Sequence, residues 1–185
     1  MKFTLTFLLL FISFQAMSTV TVVMETSMGN IEVELDEDKA PITVENYLNY
    51  VDTDFFAGTL FHRTIRDFVI QGGGVLPDMT EKPTNGPIKN EARNGMSNLR
   101  GTIGMARDTA IDTATSQFFI NTVDNLFLNH RSKQPDGFGY CVFGQVCDGL
   151  DVVDQIRAVK TGNKNGHGDV PLEPVFIKTA RLVEP

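Results

Sequence analysis

The chain has 185 residues, 42% hydrophobic and 21% charged, the profile of one soluble globular domain able to bury a core without staples. Its formal net charge of -7, with no clustered Lys or Arg, argues against nucleic acid and against a polybasic membrane patch.

The first segment, MKFTLTFLLLFISFQAMS, has one cation at Lys2, an apolar run from Leu5 to Phe14 and then small residues. That is the pattern of a secretory signal peptide, with Ala16 and Ser18 at the cleavage positions. The expected division is a cleaved leader over 1–18 and a single domain over 19–185. Cleavage after Ala16 is the second choice, because it would put bulky Phe14 three residues before the cut. An uncleaved anchor is disfavoured, since spanning a bilayer takes about 20 apolar residues. Losing Lys2 takes the charge from -7 to -8.

The stretch TVTVVMET predicts a strand pairing with NIEVEL across Ser27-Met28-Gly29-Asn30. In NIEVEL, Ile31, Val33 and Leu35 alternate with Glu32 and Glu34, the signature of a half-exposed strand. PITVENYLNYV then changes period: Val44, Tyr47, Leu48 and Val51 share a helical face, with Pro41 in the first turn. Short apolar runs follow (TLFHRTI, FVIQ, GTIGMA, QFFINT, YCVFGQV), separated by turn residues. DGLDVVDQIRAV predicts a second helix, with Val152, Ile156 and Val159 on one face, and VFIKTARLV a last strand. About eight strands and two helices predict a mainly β fold, a closed eight-stranded antiparallel barrel capped by the two helices. Cys141 and Cys147 fall on one strand, about 20 Å apart, too far for a disulfide, so both are expected as free thiols.

Common catalytic constellations are missing from the pattern. Ser97, Ser116 and Ser132 lack a G-x-S-x-G context, and the three histidines, His62, His130 and His167, have no metal-ligand spacing. Glycines 72 to 74 lack the G-K-[ST] that completes a phosphate loop. What stands out is FHRTIRDFVIQGGG, where Arg63 and Gln71 sit among aromatic and branched side chains. A cation there needs partners, because an unpaired buried charge is expensive. Alternation places Phe61, Arg63 and Ile65 on one face of that run, and Gln117 with Phe119 on one side of SQFFIN.

The motifs FHRTIRDFVIQGGG, IKNEARNG, RGTIGMAR, SQFFINTVDNLFL and GYCVFGQVCDGLDVVDQI resemble those of bacterial cyclophilins, most of all the exported, periplasmic type, over residues 20 to 183. The resemblance implies peptidyl-prolyl cis-trans isomerisation without nucleophile, metal or cofactor. It makes Arg63 the catalytic residue. It implies that Phe68, Val69, Phe119 and Leu128 line the proline pocket, that Gln71 bonds the substrate backbone, and that Ala106, Arg107 and Gln117 contact residues preceding proline. Phe127 stands where many members carry Trp and Tyr140 where many carry His; His62 is expected behind the site as a structural residue. Expected partners are proline-containing unfolded or partly folded exported proteins, in the periplasm or released beyond it, met by a monomer with no stable membrane association. The missing indole at 127 implies weak cyclosporin binding. Two departures matter: Val69 stands where Met is usual, and the turn after Ile65 reads Arg66-Asp67 instead of Pro-Gly or Asn-Gly, which would strain Asp67 if the turn demands positive φ. Two other readings remain open: a binding module of the same fold without turnover, and a hollow barrel that carries a small apolar ligand.

Overall fold

The computed structural model describes residues 20–183, so the leader and its cleavage point lie outside the described residues. Strands β1 (Val20–Thr26) and β2 (Gly29–Leu35) pair antiparallel from Val20–Leu35 to Thr26–Gly29, as the alternation predicts. Ile31, Val33 and Leu35 are buried, while Glu32 and Glu34 are not. Helix α1 (Pro41–Asp52) follows and buries Val44, Tyr47 and Val51 against the sheet. Then come β3 (Arg63–Thr64), β4 (Val69–Gly72), β5 (Thr102–Met105), β6 (Phe118–Asn121), β7 (Val142–Asp148) and helix α2 (Leu150–Arg157). The chain ends with β8 (Thr161–Lys164), β9 (His167–Pro171) and β10 (Ile177–Leu182).

Eight strands form one antiparallel sheet in the order β10-β1-β2-β7-β5-β6-β4-β3, while β8 and β9 make a separate hairpin. The expected closed barrel is therefore corrected: the sheet is a strongly curled, open half-barrel whose edges, β3 and β10, do not pair. β3 is two residues long, and the hairpin's β9 packs against it. The chain just before β3 meets the chain entering β10 through one bridge, Leu60–Phe176, flanked by Phe61 N–H to Val175 C=O and Ile177 N–H to Thr59 C=O, each within 2.9 Å. Covering an edge with a hairpin answers the same liability as closing the barrel, and apolar alternation reads the same in both.

The concave side is filled. Tyr47 of α1 lies 5.1 Å from Phe56, 5.3 Å from Phe143 and 5.8 Å from Phe118, measured between ring centroids. Val22, Ile31, Ile103, Ile120 and Ile156 complete a continuous core. A filled interior excludes the hollow-carrier reading. Cys141 is buried and Cys147 exposed, both free. Burial pushes the Cys141 thiol up to about 12.

Helix α1 starts without a local side-chain cap, since Ala40 occupies that position. Its cap arrives from far along the chain. The Glu91 carboxylate accepts from Ile42 N–H at 3.2 Å, Thr43 N–H at 2.8 Å and the Thr43 hydroxyl at 2.7 Å. A carboxylate there satisfies orphan amides and complements the positive end of the helix. Glu91→Ala is expected to destabilise the fold by about 1–2 kcal/mol, read as a thermal midpoint lower by roughly 2–8 °C, whereas Glu37→Ala at an exposed turn leaves the midpoint within about 1 °C.

Candidate active site

The site grows from a cross-strand row. Arg63 on β3 is paired with Gln71 on β4, Gln71 with Phe119 on β6, and Phe119 with Gly104 on β5. Opposed residues project to the same face of a sheet, so pairing alone brings a guanidinium, an amide and an aromatic ring together. Val69, Phe119 and Leu128 form a small buried apolar cluster separate from the main core, with Phe68, Ala106 and Tyr140 packed on it. Phe68 stacks on Phe127 at 5.6 Å and 18°, and Phe119 meets Tyr140 edge-on at 5.8 Å. Phe127 is 58% exposed, as is its neighbour Leu126 at 56%, so the pocket opens onto an apolar lip.

Arg63 stands over this cluster, half-exposed. Its Nη1 donates to Gln71 Oε1 at 3.5 Å, its guanidinium carbon lies 5.8 Å from the Phe68 ring centroid, and its Nε is 3.9 Å from Asp169 Oδ2 on β9. The last is an ion pair too long for a hydrogen bond and open to water, so it orients more than it stabilises. Gln71 Nε2 donates to Gln117 Oε1 at 3.0 Å, which links two of the sequence-predicted amides directly. One expectation from alternation fails: Phe61 joins the main core while Arg63 faces the site. The regular pairing begins only at residue 63, so the period-two count cannot be carried back across Phe61.

Arg107 reaches this region, but its donors go elsewhere. Nε donates to Gly139 C=O at 3.0 Å, Nη2 to Pro135 C=O at 2.7 Å, and Nη1 to the carbonyls of Asp108 and Thr109 at 2.8 and 3.2 Å. Its guanidinium also lies 4.8 Å from the Tyr140 ring centroid. The side chain therefore stitches the 108–110 and 135–139 loops behind Tyr140.

The Arg66-Asp67 turn is unstrained. Among the described residues the non-glycine positive φ values are at Asp54, Met79, Asn165 and Asp169, not at Asp67. The Arg66 carbonyl accepts from the Thr122 hydroxyl at 2.9 Å and from Arg157 Nη1 at 3.2 Å, which ties the turn to the residue just after β6 and to α2. Four asparagines that sequence reasoning missed hold the pocket wall. Asn125 Nδ2 donates to Phe68 C=O and Asn125 is itself linked to Asn121; Asn121 donates to Asn98, and Asn98 donates to Asn129. Asn98, Asn121 and Asn125 are buried. The available signal was amide residues flanking short apolar runs, in SNL, FFIN and TVDN.

His62 lies behind Arg63, 6% exposed, with its Nδ1 unpartnered. Desolvation, then the nearby His167 and Arg63, hold it down at about 4. It is neutral near pH 7 and does not offer a proton to the groove.

The family model described as cyclophilin type peptidyl-prolyl cis-trans isomerase/CLD matches residues 21–182. The chain is 55% identical to peptidyl-prolyl cis-trans isomerase cyp18 of Streptomyces antibioticus, over 88% of this chain and 98% of that protein. It is 51% identical to peptidyl-prolyl cis-trans isomerase B of Escherichia coli (88% and 99% covered) and 49% identical to peptidyl-prolyl cis-trans isomerase A of Dickeya dadantii (93% and 89% covered). A crystal structure of a Cryptosporidium parvum cyclophilin type isomerase superposes with a TM-score of 0.77 at 24% identity, over 90% of this chain and 99% of that one, which speaks to the fold.

Because His62 has a lower pKa folded than its ordinary 6.5, the unfolded chain binds the extra proton between those values. Its contribution is complete above pH 6.5 and is lost as pH falls towards about 4. Stability should drop across that window by about 3 kcal/mol, measured as the urea midpoint, and His62→Gln should flatten that part of the profile.

Proposed function

The chain belongs to the cyclophilin type peptidyl-prolyl cis-trans isomerases, and from that premise we propose that Arg63 carries the rotation chemistry above the pocket of Phe68, Val69, Phe119 and Leu128. An X-Pro bond turns slowly because amide resonance stiffens C–N, with a barrier of about 18–20 kcal/mol and a rate near 10⁻² per second at the upper value. No covalent bond breaks during rotation, so the reaction calls for no nucleophile and no cofactor.

As the amide twists, the prolyl nitrogen pyramidalises and its lone pair leaves conjugation. A fixed donor aimed at that nitrogen binds the twisted state better than the planar one, which is what lowers a barrier. Guanidinium suits the task because it only donates and stays charged. The observation that carries the reading is the placement of a half-exposed Arg63 directly above a separate apolar cluster. The proline ring fills that cluster, Phe127 forms its outer lip, and Gln71 meets the substrate backbone. Ala106 and Gln117 border the side that receives the residues before proline, while Arg107 shapes that side by holding its loops. A related structure solved in the presence of the dipeptide Ala-Pro supports a proline-peptide ligand.

The proposal extends to cellular role. The leader pattern of residues 1–18 supports export and work in the periplasm or beyond it, and with it action on proline-containing unfolded or partly folded exported proteins; a monomer is the expected state, because the predicted helices show no extra apolar face. Phe127 in place of an indole supports weak cyclosporin binding, and branched Val69 supports a shallower, stiffer pocket wall.

Relaxation of an Xaa-Pro peptide with residues 19–185 tests the chemistry. Folded Arg63→Ala should lose about a hundredfold or more in kcat/KM; a wild type that binds the peptide yet fails to accelerate it would leave a binding module. N-terminal sequencing of protein recovered outside the cytoplasm should begin at Thr19; a chain that retains Met1 overturns the cleaved leader.

A further inference from the structure

Arg63 is the start of an unbranched chain of side-chain hydrogen bonds. Arg63 Nη1 donates to Gln71 Oε1 at 3.5 Å, Gln71 Nε2 to Gln117 Oε1 at 3.0 Å, and Gln117 Nε2 to Glu81 Oε1 at 3.2 Å. The two ends have fixed character, because a guanidinium only donates and an ionised carboxylate only accepts. Two amides in series between such ends satisfy all three contacts in one orientation. Turning either amide over, or both, sets donor against donor or acceptor against acceptor at two of the three.

We propose that Glu81 is a positioning residue that fixes the orientation of both amides and so keeps the Gln71 carbonyl, rather than its NH₂, against Arg63. It rests on the isomerase reading of Arg63. Glu81 is exposed, and its carboxylate accepts from Gln117, so it acts on Arg63 through Gln117 and Gln71.

Three further features fit the relay. The strand-like bridge Val75–Glu81 and the bond from Lys82 N–H to Gly74 C=O at 2.9 Å hold residue 81 opposite Gln117. Gly74 leaves the space that Gln117 occupies, since a Cβ there would meet Gln117 Cγ at 2.6 Å. Lys82, the adjacent cation, turns away: its ammonium meets the carbonyls of Phe55 and Ala57 and the Phe55 ring, so it does not neutralise Glu81.

The polarity of the chain matters to the catalyst. A carbonyl beside Arg63 draws the guanidinium into place over the pocket, whereas an NH₂ in the same spot opposes it. A lysine at 81 would be donor-only at the wrong end, so every orientation of the two amides would leave at least one of the three contacts opposed, and the Gln71 carbonyl would no longer be singled out for Arg63. A glutamine at 81 can still offer a carbonyl to Gln117 and preserve the order.

The test compares Glu81→Lys and Glu81→Gln with the wild type on an uncharged Xaa-Pro peptide, with ¹⁵N NMR of the Gln71 and Gln117 side-chain amides and an unfolding midpoint for each. Glu81→Lys should lose about three- to tenfold in kcat/KM, equally in low and high salt, and both amide signals should shift. Glu81→Gln should keep near-wild-type activity and amide signals. Unchanged kcat/KM and Gln71 signals in Glu81→Lys overturn the proposal and leave the isomerase reading standing. A loss that vanishes in high salt also overturns it, because it marks a screened field effect. If the wild type itself fails to accelerate the peptide, the isomerase reading fails, and the amide signals alone decide whether Glu81 orders the relay.

Discussion

Everything at the site hangs on how β4 is paired. It lies between β3 and β6, with Gln71 opposite Arg63 on one side and Phe119 on the other. A slip of one residue in either ladder would turn every second side chain to the opposite face, sending Gln71 into the core and Ile70 into the groove. The core resists that slip, because Ile70 and Ile120 are fully buried and paired across the same two strands. Packing on the inner face therefore sets the chemistry on the outer one. Stability and function share a register rather than residues.

Polar groups then refine what the register delivers. The buried asparagines hold the Phe68 carbonyl and the short 3-10 helix Leu126–Leu128, so the two sides of the apolar pocket are fixed to each other through amides. Arg107 does the same for the loops behind Tyr140. Buried networks of this kind are costly when partly satisfied and rigidifying when complete. Arg63, by contrast, keeps modest, half-solvated partners, which suits the donor role proposed for it.

Much of this was legible in the sequence and some was not, for identifiable reasons. The β1–β2 hairpin, α1 and the apolar runs that became β4 to β7 follow from periodicity, because each buries one face against the same core. Helix α2 came out shorter than DGLDVVDQIRAV suggested, starting after Gly149, whose φ is 81°. Sheet closure was misjudged because strand patterns carry no information about whether the two outermost strands meet. The β8–β9 hairpin, TGNK and HGDVP, is polar on most of its residues and so gave no alternation to read. The candidate site residues come from motif resemblance, and pairing brings Arg63, Gln71 and Phe119 together; Glu81 and the asparagines lie in loops and strand ends, where contacts depend on tertiary folding that no local pattern encodes.

The sheet order also has a consequence for how such a chain comes into being. β1 sits between β2 and β10, with Val22 opposite Leu182, so the first strand to emerge waits for the last to complete its pairing. Until the C-terminus arrives, one side of β1 remains an open template of unpaired amides, next to a helix whose own cap lies in the middle of the chain. Non-local closure of this sort slows folding. A chain made from its N-terminus can hold only fragments of this fold until its own last strand has been delivered.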